Sequence, residues 1–138
     1  MNKQDQMKLG LWLAEKKDDP WIRGKNDCCT FFHEWHDKLH GTNTLDKIYG
    51  KYNNLTGAIR FARKYYKVEN WFPENGYTQV EEPQTGDIVM VEGSHFPSSY
   101  IICMNFAWSI SDNAKRLTRH ALDVPMGTYS IWRYTNGS

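Results

Sequence analysis

The chain has no long apolar run: nothing in its 138 residues approaches the ~20 consecutive apolar residues that cross a bilayer as a helix. It has almost no excess charge either. Seventeen Lys and Arg face sixteen Asp and Glu, for a net charge of +1, so there is no global basic field to hold nucleic acid or an anionic membrane. Cysteine is scarce, with three residues, two of them adjacent as Cys28 and Cys29. An odd count with adjacent members argues against a disulfide framework and for synthesis in a reducing compartment. Met1 to Gln6 is polar with no apolar stretch behind it, so no secretory leader is expected. Repeats, low-complexity tracts and linkers are missing. So are a Gly-x-Gly phosphate fingerprint and a Gly-x-Ser-x-Gly elbow, which removes nucleotide-fold and serine-hydrolase readings.

Aromatic bulk is present in quantity. Six Trp, eight Tyr and six Phe make up 14% of the chain, enough to build one core despite low mean hydropathy, with rings to spare for surfaces that meet partners. The length fits one domain, residues 1–138.

Periodicity predicts three helices. Residues 3–17 place Leu9, Trp12, Leu13 and Lys16 along one side, before a stop at Asp18-Asp19-Pro20. Residues 27–40 follow a cap at Asn26 or Asp27, with an apolar side of Cys28, Phe31, Phe32, Trp35 and Leu39, and end at Gly41. Residues 55–66 carry Leu55, Ala58, Ile59, Ala62 and Tyr66. After Pro73 the pattern changes. Asp87–Val91, Ser99–Met104 and Ser130–Tyr134 read as strands, and Asn105–Ile110 and Leu117–Val124 as two more. Helices first and strands later predict an α+β fold with helices packed on an antiparallel sheet.

The run Trp21-Ile22-Arg23-Gly24-Lys25-Asn26-Asp27-Cys28 delivers a cysteine onto the first turn of the second helix. The unpaired N–H groups there favour a thiolate and are expected to lower the thiol pKa. That is a place for a nucleophile; the plainer reading is a small buried residue at a helix–sheet seam. A cysteine hydrolase further needs an imidazole within hydrogen-bond reach.

Taken in order, Trp21, Gly24, Asp27 and Cys28; Gly50, Tyr52, Gly57, Ala58 and Arg60; Gly86, Asp87, Ile88 and Val89; Ala121 to Pro125; and Trp132 with Arg133 form a pattern. The pattern resembles small tailed-phage tail and virion-associated proteins related to the NlpC-type branch of papain-like cysteine peptidases. The resemblance implies a papain-like fold and a place in the virion, in the phage tail, after synthesis in the host cytoplasm. It implies as partners other tail or virion proteins in a symmetric assembly, with peptidoglycan as a further one. Enzymatic relatives cleave amide bonds of peptidoglycan stem peptides. They carry a His on the strand after Gly-Asp-x-Val, where this chain reads Ser98-Ser99-Tyr100-Ile101-Ile102. A hydroxyl cannot accept a proton near neutral pH as imidazole does. The expected catalytic pair is therefore Cys28 with His95 from just upstream, and His120 is a weaker substitute. The expected function is a structural tail component, catalytically impaired; the alternative is an active peptidoglycan amidase or peptidase.

His33, His36 and His40 form a stripe on the second predicted helix, with Cys29 four residues before His33. Cys29, His33 and His36, or the three His, form a candidate zinc set. The preferred reading is a polar flank of an amphipathic helix, partly facing a neighbour, and neither metal nor cofactor is expected; a separate hypothesis is that the stripe makes this helix sensitive to pH between ~5 and ~7. The Lys-Tyr mixtures at Lys47–Tyr52 and Lys64–Lys67 read as packing elements and not as nucleic-acid patches.

Overall fold

The computed structural model describes residues 1–65, 67–92, 98–122 and 128–135. Four α-helices come first: α1 (Lys3–Lys16), α2 (Cys28–His40), α3 (Leu55–Tyr65) and α4 (Val68–Glu74), with a short 3-10 turn at Leu45–Lys47 between α2 and α3. Six strands follow: β1 (Tyr77–Val80), β2 (Ile88–Val91), β3 (Ser98–Cys103), β4 (Phe106–Ser111), β5 (Arg116–Ala121) and β6 (Tyr129–Tyr134). They form one sheet in the order β1-β6-β2-β3-β4-β5, every neighbouring pair antiparallel. The α+β expectation holds, with a larger sheet than the sequence signalled. Of the expected segments, Tyr66, His95 and Asp123 to Pro125 lie outside the described residues.

Local signals account for the helix ends. Asn2 caps α1 by accepting from the Asp5 N–H at 2.7 Å. Asp27 caps α2 in a reciprocal box with Thr30, and Gly41 ends it in the left-handed conformation at φ 68°. Asn54 caps α3 by accepting from the Gly57 N–H at 2.7 Å. At the other end of α2, Asp37 accepts from the Thr42 and Thr44 hydroxyls and from the N–H groups of Thr44 and Leu45, fastening the helix to the 3-10 turn.

The core lies between the helices and one face of the sheet. α2 is its centre: Phe31, Phe32 and Trp35 are fully buried, each worth about 2–3 kcal/mol of transfer free energy. Trp12 of α1 stacks on Phe31 at 4.8 Å, and Lys16 ties the two helices through Glu34 at 2.8 Å. Phe72 of α4 stacks between Phe32 and Trp132. The pairing registers line up Gln79, Trp132, Ile88, Ile101, Trp108 and Arg119 as one row across all six strands on this face. The opposite face has a smaller cluster of its own, Val89, Ile102 and Ile131. Burial on both faces explains why β2 reads as a continuous apolar run.

The histidine stripe is not a polar flank. His33 and His36 are fully buried. His33 Nδ1 meets the Thr44 hydroxyl at 2.9 Å, His36 Nδ1 meets the Tyr77 hydroxyl at 2.7 Å, and His40 stacks on Tyr134 at 3.6 Å. Because Thr44 already gives its proton to the Asp37 carboxylate, it can only accept from His33, so His33 carries its proton on Nδ1. Burial, with His36 nearby, pushes His33 down to about 3; burial and His40 push His36 down to about 4. Titration near neutrality is thereby excluded for these two rings in the folded chain.

Candidate functional site

The loop before α2 is built around one carboxylate. Asp27 is buried, and its two oxygens accept from donors in three segments, with the Thr30 hydroxyl also within 3.2 Å of Oδ1. Oδ1 takes the N–H groups of Cys29 at 3.1 Å and Thr30 at 2.9 Å; Oδ2 takes the Gly24 N–H at 2.8 Å and the Tyr52 hydroxyl at 2.6 Å. Burial, then the neighbouring Cys29 and Asp27, push the Tyr52 phenol strongly upward, so it remains a donor. Gly24 sits at φ 80° against Tyr52: a Cβ there would fall inside the Tyr52 carbonyl oxygen, so glycine is required for both conformation and space. The Gly50 N–H closes the assembly on the Gly24 carbonyl at 2.8 Å. Gly24, Asp27, Gly50 and Tyr52, found in the sequence as a dispersed pattern, are thus one hydrogen-bonded socket.

That socket places Cys28 as the first residue of α2, partly buried and lining a cavity of about 290 Å³. Trp21, Arg23, Leu55, Ser98, Tyr100 and Thr118 are among its walls. The Trp21 ring lies against the Arg23 guanidinium at 4.9 Å and the Lys115 ammonium at 4.7 Å, and the Trp21 backbone N–H donates to the Lys115 carbonyl, tying the loop to the β4–β5 hairpin. Cys29 points into the core and is buried.

The expected lowering of the Cys28 thiol pKa does not occur. Burial pushes it up to about 11, and the Asp27 charge adds to the rise; hydrogen bonding from Ser99 and from the helix-start N–H offsets only part. The N–H groups expected to favour the thiolate are largely spent on Asp27.

Ser99 occupies the strand position facing the cysteine. It is buried, and its hydroxyl donates to the Cys28 carbonyl at 2.6 Å. Its own carbonyl accepts from the Ser109 hydroxyl at 2.7 Å, and the Ser109 carbonyl accepts from Thr118 at 3.3 Å. A ladder of three hydroxyls therefore runs from β5 through β4 and β3 to the helix start. Sequence reasoning pointed to Ser98 or Ser99 without deciding between them and missed Ser109 and Thr118, whose only signal was alternation in strands not yet paired.

His95 lies outside the described residues. Among the described residues no histidine lines the cavity; His120 stands behind it, edge-on to Tyr100 at 5.5 Å. Among the described residues no three His, Cys, Asp or Glu side chains are placed to hold a metal ion, which removes both zinc sets read from the sequence. At the far end of the sheet, Arg133 binds Asp87 through Nε at 3.0 Å and Nη2 at 2.8 Å. The Gly86-Asp87 and Trp132-Arg133 pieces of the pattern are thus one ion pair between a buried carboxylate and a half-buried guanidinium, joining β2 and β6. No described helix is long and apolar enough to cross a membrane.

Over residues 1–130 the chain matches the family described as Domain of unknown function (DUF6950), and it belongs to that family. No curated protein and no solved structure matches it.

Proposed function

We propose that this chain is a structural, docking component of a bacteriophage tail, built on a papain-like, NlpC-type fold whose catalytic pair is impaired. The observation on which this rests is the replacement of a base by Ser99: the hydroxyl facing Cys28 is committed to the Cys28 backbone, and the thiol is pushed up to about 11. Such a thiol is ionised in roughly one molecule per thousand or fewer near pH 8. The papain-like reading is supported by a cysteine at a helix start that faces a cleft between helices and an antiparallel sheet. The tail reading is supported by the chain-long order of motif residues. In this reading the protein resides in the virion after synthesis in the host cytoplasm and docks onto other tail subunits through its aromatic and loop surfaces. The test is immunodetection of the chain in purified virions. Its presence at a stoichiometric copy number is the expected result, and its absence from every virion fraction defeats the reading.

A second reading is favoured by the open cavity at Cys28: a peptidoglycan amidase or peptidase in which Cys28 attacks the amide carbonyl and His95 serves as general base. Digestion of peptidoglycan by the wild type but not by Cys28→Ala would establish it. Equal fragment release by both, or none by either, leaves the structural role.

A further inference from the structure

Helix α1 carries an apolar strip on the side turned away from its own core, and we propose that two copies of the chain meet along this strip, antiparallel, about a two-fold axis between Gly10 and Leu11. At about 100° per residue, Leu9, Trp12 and Leu13 share the inward side and are buried. Met7, Leu11 and Ala14 share the opposite side and are exposed, Met7 at 69% and Leu11 at 65%. A lone exposed apolar residue needs no account. Two of this size one turn apart, at the centre of a helix's outer face, make a patch that water solvates poorly. Lys3 stands at the start of this face and Asp18 in the turn just past its end. Both are exposed, and among the described residues neither is in an ion pair.

Gly10 is a separate observation. Glycine inside a helix is unfavourable. Here the backbone is not left-handed, and a Cβ at Gly10 would meet nothing within 4 Å among the described residues. Nothing in the surrounding fold therefore asks for glycine at this place. Its effect is a notch in the outer face beside Leu11, where another chain can approach closely.

A second copy of the same helix fits these features. In an antiparallel pair about this axis, Met7 faces Ala14 of the other copy, Leu11 faces its Gly10, and Lys3 faces its Asp18. Each level sets a large side chain against a small one, or a cation against an anion, and the symmetry repeats each level twice. Parallel pairing in register sets Met7 on Met7 and Lys3 on Lys3, and loses both matches. The antiparallel pair is isologous and closes at two copies. One helix of 14 residues, about 21 Å long, is a small contribution beside the ~800 Å² per partner of standard complexes, so the association is weak in dilute solution. The inference does not rest on the tail reading and stands or falls separately.

Sedimentation velocity on the full chain, from about 10 μM to about 1 mM, tests it. The wild type should pass from monomer to dimer across the series and stop there. Leu11→Glu should lower the association constant at least about tenfold, because it sets a charge in the apolar seam. Gly10→Gln should lower it as far while raising the urea midpoint measured in dilute solution, because the new side chain fills the notch and favours the helix. Lys3→Glu and Asp18→Lys each suit the helix dipole, so neither harms the fold, yet each alone should weaken association about tenfold through two like-charge contacts. An equimolar mixture of these two should recover it, since each supplies the charge that the other has lost. A wild type monomeric at every concentration, assembly beyond the dimer, a Leu11→Glu or Gly10→Gln chain that associates as the wild type does, or a mixture that fails to recover would overturn the proposal.

Discussion

One helix, α2, is held by opposite means at its start and along its middle. At its start, an acidic side chain organises the surroundings: donors from three segments converge on Asp27. Along its middle, His33 and His36 lie among Phe32, Trp71 and Tyr77 and are kept uncharged by burial. The first stretch is directional, and tolerates few changes of shape or hydrogen-bonding capacity. The second is held by area and aromatic contact, and tolerates changes of shape better than it tolerates a proton. The lowered thiol pKa expected of a cysteine at a helix start is not found: burial raises it, the Asp27 charge adds to the rise, and the start is already satisfied by its own cap. An N-terminal dipole spent on an internal carboxylate is not available to a thiol.

The comparison can be broken most forcefully at Gly24. Gly24→Ala meets both a left-handed backbone and a steric overlap with the Tyr52 carbonyl, and should cost about 4 kcal/mol or leave no folded protein, read by urea denaturation. Asp27→Ala removes the cap and strands the Tyr52 hydroxyl and the Gly24 N–H; about 3 kcal/mol is expected from the same measurement.

At the histidine pair the perturbant is acid. The free imidazole titrates near 6.5, and the folded values for His33 and His36 are about 3 and about 4. The unfolded chain therefore takes up protons first. Stability is full above pH ~6.5 and falls as the pH drops toward the folded values, by about 2 kcal/mol for each imidazole by pH ~5. Denaturation midpoints across that range should show the decline, and His36→Gln should make it shallower. A flat profile from pH ~7 to ~5 would contradict neutral burial. The smallest effect is expected at Cys28 itself. Cys28→Ala should change stability by less than about 1 kcal/mol, because the partly buried thiol has few partners to lose. Alkylation of the wild type by iodoacetamide should stay slow until the pH passes ~9. Fast labelling below pH ~7 would instead reveal an activated thiolate.

The helices were legible because their signals are local. Asp27 and Gly41 bound α2, and the spacing of Leu9, Trp12 and Leu13 sets the face of α1. α4 escaped notice because it has only seven residues, with Pro73 inside its last turn; β1 has four residues, too few for alternation to register. The Cys28 placement was legible, but its protonation was not. That depends on Asp27 accepting the nearest N–H groups and on Ser99, 71 residues away, reaching the helix start. The histidines misled for a related reason: polar residues at helical spacing suggest a solvated flank, whereas Tyr77 and Thr44, remote or on a loop, supply the hydrogen bonds that let them be buried.

The Asp27 socket also sets an order of events in folding. Tyr52 lies 25 residues beyond Asp27, whereas Ser99 lies 71 beyond Cys28. Shorter loops close at lower entropic cost, and a chain leaving the ribosome exposes residues 24–52 well before β3. The socket is therefore the part that assembles while Cys28 still faces water, and the serine strand arrives later as a cover. In quenched-flow refolding, thiol labelling should find Cys29 protected before Cys28: the cysteine is positioned early by its own neighbourhood and shielded late by a distant one.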